Sequence, residues 1–386
     1  MDAHTVVAAS PRSLRQPFLR ELTQSKQVVS NITPNWFASV MGTGIVANAA
    51  ATLPVFAPAL RIPATLVWML AALLLVGLVA ATAAHWIWYP QAARSHHRNP
   101  VMAHFYGAPP MALLTVGAGT LLLGKDVIGL PAAVMVDAAL WGAGTLLGLF
   151  SAVAVPYLTF TRLVVADDSA FGGWLMPIVP PMVSAATGAL LLPYIPAGQA
   201  RLTMMLACYA MFGLSLVASV VVITLIWARL ARHKVGASAA VPTLWIVLGP
   251  LGQSITAANL LGGNAHQVVQ APWATALQMF GVVYGVPVLG FALLWAALAA
   301  AITVRTARES LPFSLTWWSF TFPVGTCVTG LSGLALHTGS VVLQGMAVAA
   351  FAGLLAAWLI VAIRTFHGSV IRGTLLAPPS AVAARD

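Results

Sequence analysis

Charge is scarce in this chain: Asp, Glu, Lys and Arg make up 7% of its 386 residues, against 60% hydrophobic residues. A soluble domain carries about 25% charged residues, so a mostly water-facing surface is excluded. Cysteine is scarcer still. Cys208 and Cys327 both fall inside long apolar stretches, where a thiol behaves as a small apolar residue; a disulfide or metal pair is the minor reading. No His-Glu-x-x-His run marks a zinc protease, and there is no ATP-binding motif. The nine histidines sit mostly at the ends of apolar stretches or between them, without the facing pairs a di-haem cytochrome needs. No cofactor and no metal are therefore assigned, and no enzymatic activity. The first 30 residues are polar and basic and lack an apolar core, so no cleavable signal peptide is expected.

What the chain does have is a mean hydropathy of +0.91 and uncharged stretches of about 20 residues, enough to cross a bilayer core of about 30 Å. Ten are placed, at 35–53, 62–89, 101–123, 131–160, 174–192, 202–228, 242–261, 272–303, 313–336 and 341–363. The loops between them are too short for a second domain. The expected organisation is a basic tail at 1–30, one membrane domain at 31–366 and a second tail at 367–386.

The net charge of +10 would point to nucleic acid in a soluble protein. Its distribution points elsewhere. Fifteen of the 18 basic residues fall in the two tails and the loops after the even spans, including Arg94, Arg98, Arg162, Arg229, Arg232, Lys234, Arg305, Arg308, Arg364 and Arg372. Only Arg61, Lys125 and Arg201 fall on the opposite side. The positive-inside rule then puts both termini in the cytoplasm, as an even number of spans requires. The excess charge is topological, and no nucleic-acid partner is expected.

The odd spans differ from the even ones. Each mixes Gly or Pro with Thr, Ser, Asn or Gln, and a helix breaker recurs near its middle: Gly44, Pro110, Pro181, Pro250 and Pro323, at intervals of 66, 71, 69 and 73 residues. The even spans are richer in Leu, Ala, Val and Trp. Proline removes a backbone donor, and freed backbone groups are tolerated in a membrane only where they are buried or line a wet cavity. The expected fold is all-α and integral to the membrane: ten transmembrane helices as five helical hairpins, odd helices inside around a central pore, even helices outside. Internal repeats of broken helices build paths for polar solutes. The competing reading is that the small residues serve only close helix packing.

No Lys, Arg or Glu lies in any span, and Asp137 is the single acid, read as a boundary residue near the outer end of the fourth span. Proton-driven carriers place ionisable groups at bilayer depth. The path is instead expected to be lined by Thr43, Asn48, Thr115, Ser184, Thr187, Gln253, Ser254, Asn259, Thr326 and Thr329, together with the breaker positions Gly44, Pro110, Pro181, Pro250 and Pro323. Such a wall holds an ion weakly and releases it. The absence of an acidic ring and the positive ends of broken helices favour anions. Phe320 and Phe322 stand beside Pro323, where a bulky ring can plug a narrow path or simply pack.

The runs PNWFASVMGTGI, GAPPMALLT, WLMPIVPPMVSAATG, LGPLGQ and WWSFTFPVGT resemble the tellurite-resistance/C4-dicarboxylate transporter family. That family includes slow-type anion channels, tellurite-resistance proteins, malate permeases and sulfite efflux pumps. The resemblance implies five hairpins in quasi-fivefold arrangement, a homotrimer with one pore per subunit, and a pore closed by a phenylalanine on the ninth helix. Phe322 is the matching position here, with Phe320 second. The resemblance is nearest the sulfite-efflux branch. The expected function is passage of small anions, sulfite foremost, through an uncharged pore in the cell membrane. The alternatives are a proton-coupled C4-dicarboxylate carrier and, from another class, a membrane-embedded enzyme or cofactor protein.

Overall fold

The computed structural model describes residues 18, 19, 22 and 27–377; most of the predicted N-terminal tail and residues 378–386 of the C-terminal one fall outside them. Among the described residues there is no β-strand, and ten α-helices have twelve residues or more. They are α1 (Phe37–Thr52), α2 (Ala57–Trp88), α3 (Ala108–Gly119), α4 (Leu130–Thr161), α5 (Pro180–Leu191), α6 (Gln199–His233), α7 (Leu248–Asn264), α8 (Trp273–Glu309), α9 (Phe322–Thr338) and α10 (Val341–Phe366).

Lengths alternate. The odd helices have 12 to 17 residues and the even ones 26 to 37. The even helices expose large apolar side chains such as Leu73, Val76, Phe150, Val153, Val217, Val283 and Val342, a surface that only lipid or another apolar partner covers. Counting their 3-10 and π extensions, eight segments are long and apolar enough to cross a membrane, which makes this a multi-pass membrane protein. The helices within the predicted spans 35–53 and 174–192 have 16 and 12 residues and are not among those eight.

The breakers act differently from the expectation. Pro110, Pro181, Pro250 and Pro323 stand at the second or third residue of α3, α5, α7 and α9. An amide there has no intrahelical partner anyway, so proline is tolerated and starts the helix. Each of these helices is preceded by a 3-10 segment: Met102–Gly107, Gly172–Leu175, Ser238–Val247 and Leu315–Phe320. Gly44 breaks nothing. It lies inside the continuous α1, and the matching junction comes earlier, after the 3-10 turn Pro34–Trp36. The role of Gly44 is close packing: a Cβ there would lie 2.8 Å from Thr115 Cγ2 on α3.

The odd helices form a closed ring: α1 touches α3, α3 touches α5, α5 touches α7, α7 touches α9, and α9 returns to α1. At the end where they begin, the interior is solid. Trp36, Phe37, Phe105, Leu175, Val247, Trp318 and Phe322 belong to one buried cluster there. The backbone comes very close: a Cβ on Gly107 would overlap the Met176 carbonyl, and one on Gly172 the Thr243 carbonyl.

Most described basic residues flank this solid end, and they make few ion pairs. Arg229 donates to the carbonyls of Asp168 and Val235 at 3.0 Å, and Arg364 lies 4.9 Å from the centre of the Trp317 ring. In the short helix Pro90–His96, His96 stacks on His85 with centroids 5.3 Å apart. Burial first, then the neighbouring His85 and His97, lowers the His96 pKa to about 4.

Candidate functional site: an uncharged central cavity

Toward their C-terminal ends the five odd helices part around a cavity of about 400 Å³. Each contributes one stripe at helical spacing. Ile45, Asn48 and Thr52 come from α1; Thr115 and Ala118 from α3, continued by Leu122; Val183, Ala186, Thr187 and Leu190 from α5. α7 contributes Gln253, Thr256, Asn259 and Leu260, and α9 contributes Phe322, Thr329, Ser332, Gly333 and Leu336. No lining residue belongs to an even helix, and none is charged.

The wall has two apolar levels with polar residues between them. Leu53, Leu122, Leu190, Leu260 and Leu336, one from each repeat, line the end where the helices finish. Ile45, Val183 and Phe322 line it nearer the solid end. From Phe322 to Leu336 the rise is about 21 Å at 1.5 Å per residue. Phe322 begins α9 because Pro323 follows it at a position where proline starts helices. That places the ring at the floor of the cavity, only 3% exposed.

Six of the predicted lining residues are in this wall: Asn48, Thr115, Thr187, Gln253, Asn259 and Thr329. The other polar ones are turned to neighbouring helices. Thr43 accepts from the Trp358 indole at 3.1 Å. Ser184 accepts from the Thr145 hydroxyl at 3.0 Å, and Ser254 from the Tyr284 hydroxyl at 2.8 Å. Thr326, fully buried, donates to the Pro323 carbonyl at 2.7 Å and faces α7. None of Gly44, Pro110, Pro181, Pro250 and Pro323 is on the wall; Pro110 packs toward Gly144 of α4 and Pro323 toward Gly249 of α7. Phe320 is not on the wall either. It stands edge-on to Trp245 and Trp317, each 5.6 Å away.

Thr52, Thr256 and Ser332 were missed. Each lies three or four residues from a predicted lining position, so continuing the stripes of Asn48, Gln253 and Thr329 by one turn finds all three. Asp137 is also not where the sequence put it. Instead of a boundary position it is fully buried against Gly117 of α3, with no hydrogen-bond partner on either carboxylate oxygen. It stands behind the wall rather than on it.

Near the open end Arg61 is neutralised by Asp126 at 2.6 Å and bonds the Leu122 carbonyl at 3.1 Å. Arg201 is held by the carbonyls of Ile195 at 2.7 Å and Gln267 at 3.2 Å. Neither lines the cavity. Among the described residues no group of His, Cys, Asp or Glu is arranged to hold a metal ion.

A closed ring of helices around an uncharged, partly polar cavity, wrapped in long apolar helices, is the architecture of a membrane transport protein. The family model described as "SLAC1: Voltage-dependent anion channel" matches residues 31–366, and the chain belongs to that family. Anion transport across a membrane is thus its functional class. Among curated proteins, the sulfite efflux pump SSU1 of Arthroderma otae is 28% identical over 320 residues, covering 81% of this chain and 84% of the relative. An uncharacterized transporter of Methanocaldococcus jannaschii is 26% identical over 311 residues, covering 80% and 85%. The SSU1 pump of Trichophyton rubrum is 27% identical over 318 residues, covering 81% and 84%.

Proposed function

We propose that the central cavity is the anion path, that Phe322 closes it, and that sulfite is a principal substrate, moving down its own gradient out of the cell. The observation that carries this reading is the cavity itself: five helices line it, no charged residue enters it, and one aromatic ring floors it. A wall without a fixed cation binds an anion weakly enough to let it leave. The sulfite efflux pumps among the relatives support the substrate. Ten membrane crossings in five hairpins, with both termini cytoplasmic, are part of the same proposal, and the basic residues gathered at the solid end support that orientation. A homotrimer belongs to the same proposal: the exposed apolar faces of the even helices offer surface for copies as well as for lipid.

The test is flux into proteoliposomes holding sulfite, nitrate, chloride or malate, with and without a proton gradient. Sulfite and nitrate should enter with no proton gradient and malate slowly. Malate uptake that requires the gradient, with no movement of sulfite or nitrate, would favour the dicarboxylate carrier and overturn the proposal.

A further inference from the structure

Most polar side chains on the cavity wall have already committed their donors. The hydroxyls of Thr52, Thr115, Thr187 and Ser332 each donate to the carbonyl one turn back, at 2.7 to 2.9 Å. Thr256 does the same to Gly252 at 3.0 Å and meets Thr329 at 2.7 Å, while Thr329 itself reaches the Thr326 carbonyl at 3.0 Å. The Asn259 amide donates to the carbonyls of Ile255 at 2.9 Å and Gly281 at 3.3 Å. Its oxygen lies 2.9 Å from His337 Nδ1. Asn48 gives an amide hydrogen to the Thr115 carbonyl at 3.0 Å.

Gln253 is the exception. It lines the cavity, is only 5% exposed, and its side-chain amide has no hydrogen-bond partner among the described residues. An amide that faces a cavity with its donors uncommitted is complemented by an acceptor inside that cavity. Its height is informative. Thr256, one turn further along α7, meets Thr329, and Phe322 lies two turns before Thr329 on α9. Gln253 therefore stands between the polar belt and the aromatic floor.

We propose that Gln253 is the anion-contacting donor of the path, and that a neutral amide as the principal free donor makes the site selective for singly charged anions. For sulfite this means hydrogensulfite rather than the dianion. The inference rests on the cavity being the anion path. A dianion brought here would lose a far larger hydration energy than one amide returns, and no Arg, Lys or His lines the wall to offset it. A monoanion accepts the two amide hydrogens, and the acidic proton of hydrogensulfite finds the lone pairs of the threonine hydroxyls.

The experiment measures sulfite and nitrate flux in proteoliposomes for Phe322→Ala alone and combined with Gln253→Leu. In the double variant both fluxes should fall at least tenfold below Phe322→Ala alone. In Phe322→Ala, sulfite flux should decline as pH rises through the second ionisation of sulfurous acid, near neutrality, while nitrate flux stays flat. This pH series needs no change at Gln253, so it decides the charge selectivity even where Gln253→Leu disturbs folding. Equal flux in the two variants, or sulfite flux that rises with the dianion fraction, overturns the role of Gln253 or the monoanion selectivity and leaves the path standing. If Phe322→Ala conducts neither anion, the proposed path itself fails.

Discussion

The ring of inner helices is solid where its helices begin and hollow where they end, although the same five helices build both halves. At the solid end, 3-10 segments bring backbones together at Gly107 and Gly172, and Trp36, Phe37, Trp318 and Phe322 share one buried apolar cluster. At the hollow end a belt of hydroxyl, amide and small side chains lies below a rim of leucines, and the hydroxyls bond their own helices. The difference teaches that, on the proposed path, side-chain bulk over about two turns rather than charge would oppose an ion, since neither half presents an ionisable group to the cavity. The outer helices take no part in the wall. They carry the apolar surface that keeps the ring in a membrane.

Substitutions in each region should differ in size accordingly. The largest effect is expected at the solid end: Gly172→Ala would force a methyl into the Thr243 carbonyl, a backbone atom that cannot swing away. We expect a loss above about 4 kcal/mol, seen as failure to recover a monodisperse protein on size exclusion. Normal recovery with an unchanged melting temperature would show that the two backbones separate easily. Between inner and outer layers, Thr43→Val removes the acceptor of the Trp358 indole. The cost should be about 1–3 kcal/mol, read from thermal unfolding in detergent, while transport selectivity stays the same because Thr43 does not face the cavity.

A smaller effect is expected at the basic rim of the solid end. Unfolding returns His96 from about 4 to the ordinary 6.5, so between those values the unfolded chain binds the extra proton. Stability is therefore complete above pH 6.5 and declines as the pH falls toward 4. The ring is half-buried, and solvent screening limits the loss to about 1 kcal/mol. His96→Asn should flatten that part of the melting-temperature profile. Smallest of all, Leu73→Ala on the exposed face of α2 should change stability by less than about 0.5 kcal/mol. A larger loss would show that this face is covered by a partner rather than by lipid.

How much of this was legible in the sequence differs between the same regions. The helical class and the alternation of polar and apolar segments could be read from composition, because lipid-facing helices must be apolar along their length. The four prolines mark real junctions, but in a different register: in sequence a proline within a long apolar stretch reads as a mid-membrane break, whereas each of these stands where a helix starts. Gly44 was misread for a related reason, since glycine inside a helix signals close approach as readily as a break. The direction each polar residue faces was the hardest to read. An inner helix buried all round has no polar face to fix its rotation, so Thr43, Ser184, Ser254 and Thr326 looked no different from Thr115, Thr187 and Gln253. Only partners on other helices, such as Trp358, Thr145 and Tyr284, separate the two groups, and those pairings are long-range.

The central claim is that the Phe322 ring closes the hollow half toward the other side of the membrane. It is tested most directly by anion flux through Phe322→Ala in proteoliposomes, beside wild type at equal protein density and with matching size-exclusion profiles. The account predicts nitrate and sulfite flux at least tenfold above wild type. Flux equal to wild type from a correctly folded variant would contradict it and place the barrier elsewhere in the solid half.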